Sequence, residues 1–151
     1  SVNEIICHDT SKTGNFITLF YLVVDWGAKQ IQWVRCGHDP AVMFSPETGE
    51  FEELRGEGLA LGFDNDFDYQ EHHVEFGDSR HIILIVSDGA WEVENEQGDE
   101  FGKERLNKLL AANHELPPRQ ILDLLTDEIG RFMGDTAPKD DITLTVVKLN
   151  Y

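Results

Sequence analysis

The chain has 151 residues, 40% of them hydrophobic, with 29 acidic side chains against 12 basic ones and a formal charge of -17. That length and apolar content enclose one sizeable core and exclude wholesale disorder, while the charge repels nucleic acid and anionic membrane and sets both aside as partners. No stretch is long and apolar enough for a transmembrane helix, and "SVNEIICHDT" (1–10) lacks the basic start and apolar centre of a signal peptide, so a soluble, cytoplasmic protein is expected. Cys7 and Cys36 lie far apart and form neither a paired-cysteine metal motif nor a disulfide ladder. Ordinary thiols are expected at both.

The first half reads as strands. "FITLFYLVVD" (16–25) and "KQIQWVRC" (29–36) flank the short turn "WGA", as a β-hairpin would. "AVMFS" (41–45) and "FEEL" (51–54) flank "PETGE" in the same way, and "YQEHHVEF" (69–76) is a further strand. "HIILIV" (81–86) shows no alternation, which predicts a strand covered on both faces. Helices come next. "GKERLNKLLAANH" (102–114) sets Leu106, Leu109 and Leu110 at helical spacing. "PPRQILDLLTDEIGRFM" (117–133) starts on two prolines and repeats its apolar face through Ile121, Leu124, Leu125, Ile129 and Phe132. Such stripes are core contacts. A closing strand, "DITLTVVKL" (141–149), follows the loop "GDTAPKD", and strands followed by helices and a last strand predict an α+β layered domain.

The apolar run 81–86 leads through Ser87 into Asp88, Gly89, Ala90 and Trp91. A carboxylate there is held by a rigid strand yet faces the rim of the sheet, a placement suited to a metal ligand or catalytic group, and Gly89 would let the backbone turn sharply behind it. A second acidic point, Asp140–Asp141, precedes the last strand. If the strands beginning at Ile82 and Ile142 are antiparallel neighbours, the end of one lies beside the start of the other, and Asp88 meets the Asp140–Asp141 pair at one edge. Like charges gathered there repel unless a cation sits between them, and oxygen-only ligands favour magnesium or manganese. A turn or capping aspartate in each place is the alternative, and pattern alone leaves both open.

Other features carry less. "DNDFDYQEHHVE" (64–75) has acids at calcium-loop positions, but Tyr69 stands where that loop needs glycine, so an acidic loop is the expectation. His72 and His73 are adjacent, point to opposite faces of a strand and cannot share an ion. His38 in "CGHDP" is expected to hydrogen-bond structurally, and Trp91 to pack behind the rim.

"SDGAWEVEN" (87–95) and "KDDITLTVV" (139–147) resemble the two C-terminal metal motifs of the type-2C, metal-dependent serine/threonine protein phosphatases. "FITLFYLVVD", "RCGHDPAV" (35–42), "GLALGF" (58–63), "EFGKERLNKLL" (100–110) and "DDITL" occur in the order of the bacterial branch typified by sporulation stage II protein E and the sigma-factor regulator phosphatases. The resemblance implies a two-sheet β-sandwich flanked by helices with a two-metal centre at one end. It implies Asp88 and Asp140 as catalytic metal ligands, Asp141 as a neighbouring or alternative ligand, and Mn2+ or Mg2+ as cofactor. The implied substrate is a phosphoserine or phosphothreonine protein, such as an anti-sigma-factor antagonist. The family's early Gly-Asp and Gly-His-Gly motifs have no counterpart, since "GDSRH" (77–81) reads as a hairpin turn, and the chain opens within what would be a helix ahead of "FITLFY". Residues 1–151 therefore read as the C-terminal portion of a single phosphatase-like domain, N-terminally incomplete, with the missing motifs expected upstream. Weak or partial metal binding follows, and the unpaired sheet edges left by the missing strands are open to self-association as a homodimer, an artefact of the truncation. A non-catalytic signalling module that binds a partner is the competing function.

Overall fold

Helix α1 (Val2–Thr10) is followed by strands β1 (Leu19–Asp25), β2 (Gln30–Cys36), β3 (Ala41–Ser45), β4 (Glu50–Leu54), β5 (His72–Glu75) and β6 (His81–Val86). A 3-10 turn over Asp88–Ala90, helices α2 (Lys103–Ala112) and α3 (Pro118–Met133) and strand β7 (Leu144–Leu149) complete the order. The computed structural model describes residues 1–10 and 13–150. Two antiparallel sheets and three helices make up the α+β architecture expected, with strand orders β1-β2-β5 and β4-β3-β6-β7. The chain divides into two units, one from Ser1–Pro40 with Leu54–Asp78, the other from Ala41–Glu53 with Ser79 onward.

In the first unit β1 and β2 form the predicted hairpin, in register from Leu19 opposite Cys36 to Asp25 opposite Gln30. Its turn is closed by the Asp25 carboxylate, which accepts from the Ala28 amide at 2.9 Å, and Lys29 takes the left-handed backbone at φ 51°. β5 pairs with the other side of β2, which leaves β1 at the edge of its sheet. His72 and His73 point to opposite faces, as adjacent strand residues do, and the His72 ring stacks on Trp33 with centroids 5.7 Å apart. The His38 imidazole lies 2.9 Å from its neighbour's carbonyl at Asp39, and Arg35 donates to the His38 carbonyl at 2.9 Å. "GDSRH" does form a turn at Gly77–Asp78, but β5 and β6 belong to different sheets, so it joins sheets rather than closing a hairpin. Asp78 is tied there by an ion pair to Lys29, which holds its carboxyl below the usual range.

In the second unit β6 is the central strand, paired with β3 on one side and β7 on the other. Every residue of it but Ile85 is buried, which is the physical content of its missing alternation. One face of this sheet is covered by α2 and α3, where Leu106, Leu110, Ile121, Leu125 and Ile129 pack with Ile82, Leu84 and Val86 in a single apolar cluster. α3 starts on Pro118, whose missing N–H costs nothing in a first turn, and stops at Gly134, whose φ of 60° suits a residue without a Cβ. Trp91, Val93 and Phe101 extend the cluster beneath the strand's exit. Trp91 therefore does pack behind the rim, with the Lys103 ammonium 4.0 Å from its ring centroid.

Candidate functional site at the exit of the central strand

The β6–β7 ladder runs antiparallel from His81 opposite Leu149 to Val86 opposite Leu144. The pairing supposed from the sequence is the pairing found, and it sets the residues after Val86 beside the residues before Leu144. β7 itself starts later than the sequence suggested, because Asp141–Thr143 leave the regular ladder. Ser87 replaces it there. Its amide donates to the Thr143 carbonyl at 3.1 Å, its hydroxyl donates to the Asp141 carbonyl at 2.9 Å, and the same hydroxyl accepts from the Thr143 amide at 3.0 Å.

Beyond Ser87 the chain winds into the 3-10 turn, with the Ala90 amide on the Ser87 carbonyl at 3.0 Å and the Trp91 amide on the Asp88 carbonyl at 3.0 Å. Buried Ala90 and Trp91 anchor this turn, so Asp88 is exposed on a rigid support. Its Oδ1 accepts from the Gly89 amide at 2.9 Å, and the Asp140 Oδ1 accepts from the Asp141 amide at 2.7 Å. Gly89 is needed for a reason other than a sharp turn. A Cβ on it would stand 2.6 Å from the Asp141 carbonyl oxygen and 3.3 Å from that of Asp140, so only glycine admits the second acidic segment this close. The loop carrying Asp140 is tied down further on: the Thr136 hydroxyl lies 2.7 Å from the Glu94 carbonyl and 2.8 Å from that of Met133, and Lys139 pairs with the Glu94 carboxylate.

Asp88, Asp140 and Asp141 are thus on two adjoining backbone segments at one end of the sheet, all exposed, and none has a salt-bridge partner among the described residues. Carboxylate oxygens are the right kind of donor for a hard divalent cation. Their number is short: among the described residues no three His, Cys, Asp or Glu side chains gather into a group able to hold a metal ion. The donor set fits Mn2+ or Mg2+ in kind and does not close a coordination shell. Elsewhere, the Asp64 carboxylate accepts from the Asp66 amide at 3.0 Å and that of Asp68 from the Gln70 side chain at 2.9 Å, local contacts of an acidic loop.

The structure resembles phosphatase domains of the PP2C class. It superposes on the SiaA PP2C domain of Pseudomonas aeruginosa with a TM-score of 0.83 at 20% identity, over 97% of this chain and 57% of that one. The phosphatase domain of the cell fate determinant SpoIIE from Bacillus subtilis gives a TM-score of 0.66 at 20% identity, over 99% of this chain and 64% of that one. In sequence, the phosphoserine phosphatase RsbU of Bacillus subtilis (strain 168) is 30% identical over 135 residues, which are 88% of this chain and 39% of that protein. The chain belongs to the stage II sporulation protein E (SpoIIE) family, whose model matches residues 1–150. It spans about two fifths of the length of RsbU and under two thirds of those two solved domains.

Proposed function

We propose that the chain is the C-terminal portion of a single phosphatase domain that hydrolyses phosphoserine or phosphothreonine on a cytoplasmic bacterial signalling protein, such as an anti-sigma-factor antagonist. The observation that carries this reading is the family match over nearly the whole chain together with the adjoining acidic segments at Asp88 and Asp140–Asp141. In it, Asp88 and Asp140 are ligands of Mn2+ or Mg2+ and Asp141 is a neighbouring or alternative ligand. A bound divalent ion supplies a more acidic water and charge neutralisation at the phosphate. This chain's own residues do the positioning. The 3-10 turn fixes Asp88, the Gly89 contact sets the distance between the acidic segments, and buried Trp91 gives the turn a rigid floor. The remaining ligands are assigned to polypeptide outside residues 1–151.

The test is phosphate release from a phosphoserine protein by the full-length protein with Mn2+ and with a chelator. Release that requires the divalent ion is expected; none with any divalent ion would sink the reading. The short ligand count favours a second reading for the segment by itself, a module that binds a partner without turnover. The same proposal includes self-association, because β1 is an edge strand carrying exposed Leu19 and Tyr21. Light scattering on the 151-residue chain is expected to report a dimer, and a monodisperse monomer would remove that part.

A further inference from the structure

We propose that Ser87 is a positioning residue whose hydroxyl sets how far the Asp140–Asp141 segment lies from Asp88. The inference rests on the metal-binding reading of those acids. Up to Val86 opposite Leu144 the two strands are held by ordinary ladder bonds. At the next rung, Ser87 opposite Thr143, the ladder is only half kept: the Ser87 carbonyl has turned to accept the Ala90 amide at 3.0 Å, and the Ser87 hydroxyl takes its place toward the Thr143 amide. One hydroxyl takes both a donor and an acceptor role on the facing strand, 2.9 Å to the Asp141 carbonyl and 3.0 Å from the Thr143 amide, while the Ser87 amide keeps the Thr143 carbonyl at 3.1 Å. The side chain thus draws residues 141 and 143 onto one atom.

The effect is confined by what lies on either side. The Asp141 carbonyl that Ser87 holds is the same atom that approaches Gly89, where a Cβ would stand 2.6 Å away. Ser87 pulls and Gly89 permits, so the distance between the two acidic segments is decided by a hydroxyl and the absence of a methyl group. Alanine at 87 leaves the Asp141 carbonyl and the Thr143 amide without that partner at a rim where water can replace it. The fold survives such a loss, whereas the spacing of ligands a residue away is not water's to restore. Outer contacts that orient ligands typically change metal affinity by about 10–100-fold when removed.

The experiment is a titration of the full-length protein with Mn2+, following free Mn2+ by electron paramagnetic resonance and counting only the sites lost in Asp88→Asn. Ser87→Ala is expected to weaken that component about tenfold, and Ser87→Thr, which restores a hydroxyl, to stay within about twofold of wild type. Ser87→Cys, close in shape and a poorer hydrogen-bonding group, serves if the alanine variant does not fold, and is expected to fall between them. Equal affinity in wild type, Ser87→Ala and Ser87→Cys overturns the positioning role while leaving the metal reading intact. No Asp88-dependent component in wild type overturns both. Equal weakening in the alanine and threonine variants also overturns it, since packing rather than the hydroxyl would then be the cause.

Discussion

Turnover of the full-length protein on a phosphoserine substrate is expected to fall at least about 100-fold in Asp88→Asn, a loss of roughly 2.7 kcal/mol of transition-state stabilisation, with the melting temperature nearly unchanged. Asn is the informative replacement because the local geometry tolerates it. Asp88 is exposed, and the hydrogen bond of its side chain at this turn is accepted by Oδ1 from the Gly89 amide, which an asparagine oxygen also accepts. What disappears is the negative charge and a carboxylate donor to a cation. Asp140→Asn is expected to behave alike, since its Oδ1 accepts from the Asp141 amide in the same manner. Glu92, exposed on the segment that follows the turn, provides the control, and Glu92→Gln is expected to leave turnover alone. Phosphate release measured for the four proteins side by side decides it. Unchanged turnover in Asp88→Asn would mean that these acids are surface turn residues.

Much of this was legible before any coordinates, and what was not has a physical cause. The apolar run 81–86, without alternation, reads as a strand covered on both faces, and β6 is a buried strand inside its sheet. The antiparallel pairing with the C-terminal strand could only be supposed from the sequence, and the register has it. Helices α2 and α3 were visible because a 3.6-residue period, opened by prolines in α3, is written locally. The role of Gly89 was not. A glycine that opens a turn and a glycine that admits a distant backbone look identical in sequence, and only the Asp141 carbonyl beside it tells them apart. Ser87 escaped for a related reason: its partners at Asp141 and Thr143 lie more than fifty residues away, with separations of 54 and 56. The turn at Gly77–Asp78 was read as a hairpin because local residues signal that the chain reverses, not which strand it pairs with next.

Gly58→Ala is expected to be the most destabilising single methyl that this chain can receive. A Cβ at that position would stand 1.8 Å from the Arg35 carbonyl oxygen, 2.7 Å from its carbon and 3.3 Å from the Cys36 nitrogen. All three are main-chain atoms of β2 or its end, so no side chain can rotate away. The strap 54–62 is also fastened there on both sides of the glycine. Trp33 donates its indole N–H to the Arg55 carbonyl at 2.7 Å, Arg35 donates to the Gly56 carbonyl at 2.7 Å, and Ile17 and Leu61 exchange amide bonds at 3.0 and 2.8 Å. Relief of the clash therefore breaks one of these contacts or bends β2. Overpacking of this kind costs about 1–3 kcal/mol in a side-chain core and more where backbone meets backbone, so a loss of about 4 kcal/mol is expected. At about 2–4 °C per kcal/mol for a chain of this size, the melting temperature should fall by roughly ten degrees. Gly130→Ala supplies the opposite sign. That glycine sits on the exposed side of α3 with nothing within 4 Å of a Cβ, so alanine there removes backbone freedom from the unfolded chain and should add about 0.5–1 kcal/mol. Thermal unfolding of both variants checks the pair: equal shifts would show that steric approach at Gly58 does not govern this strap.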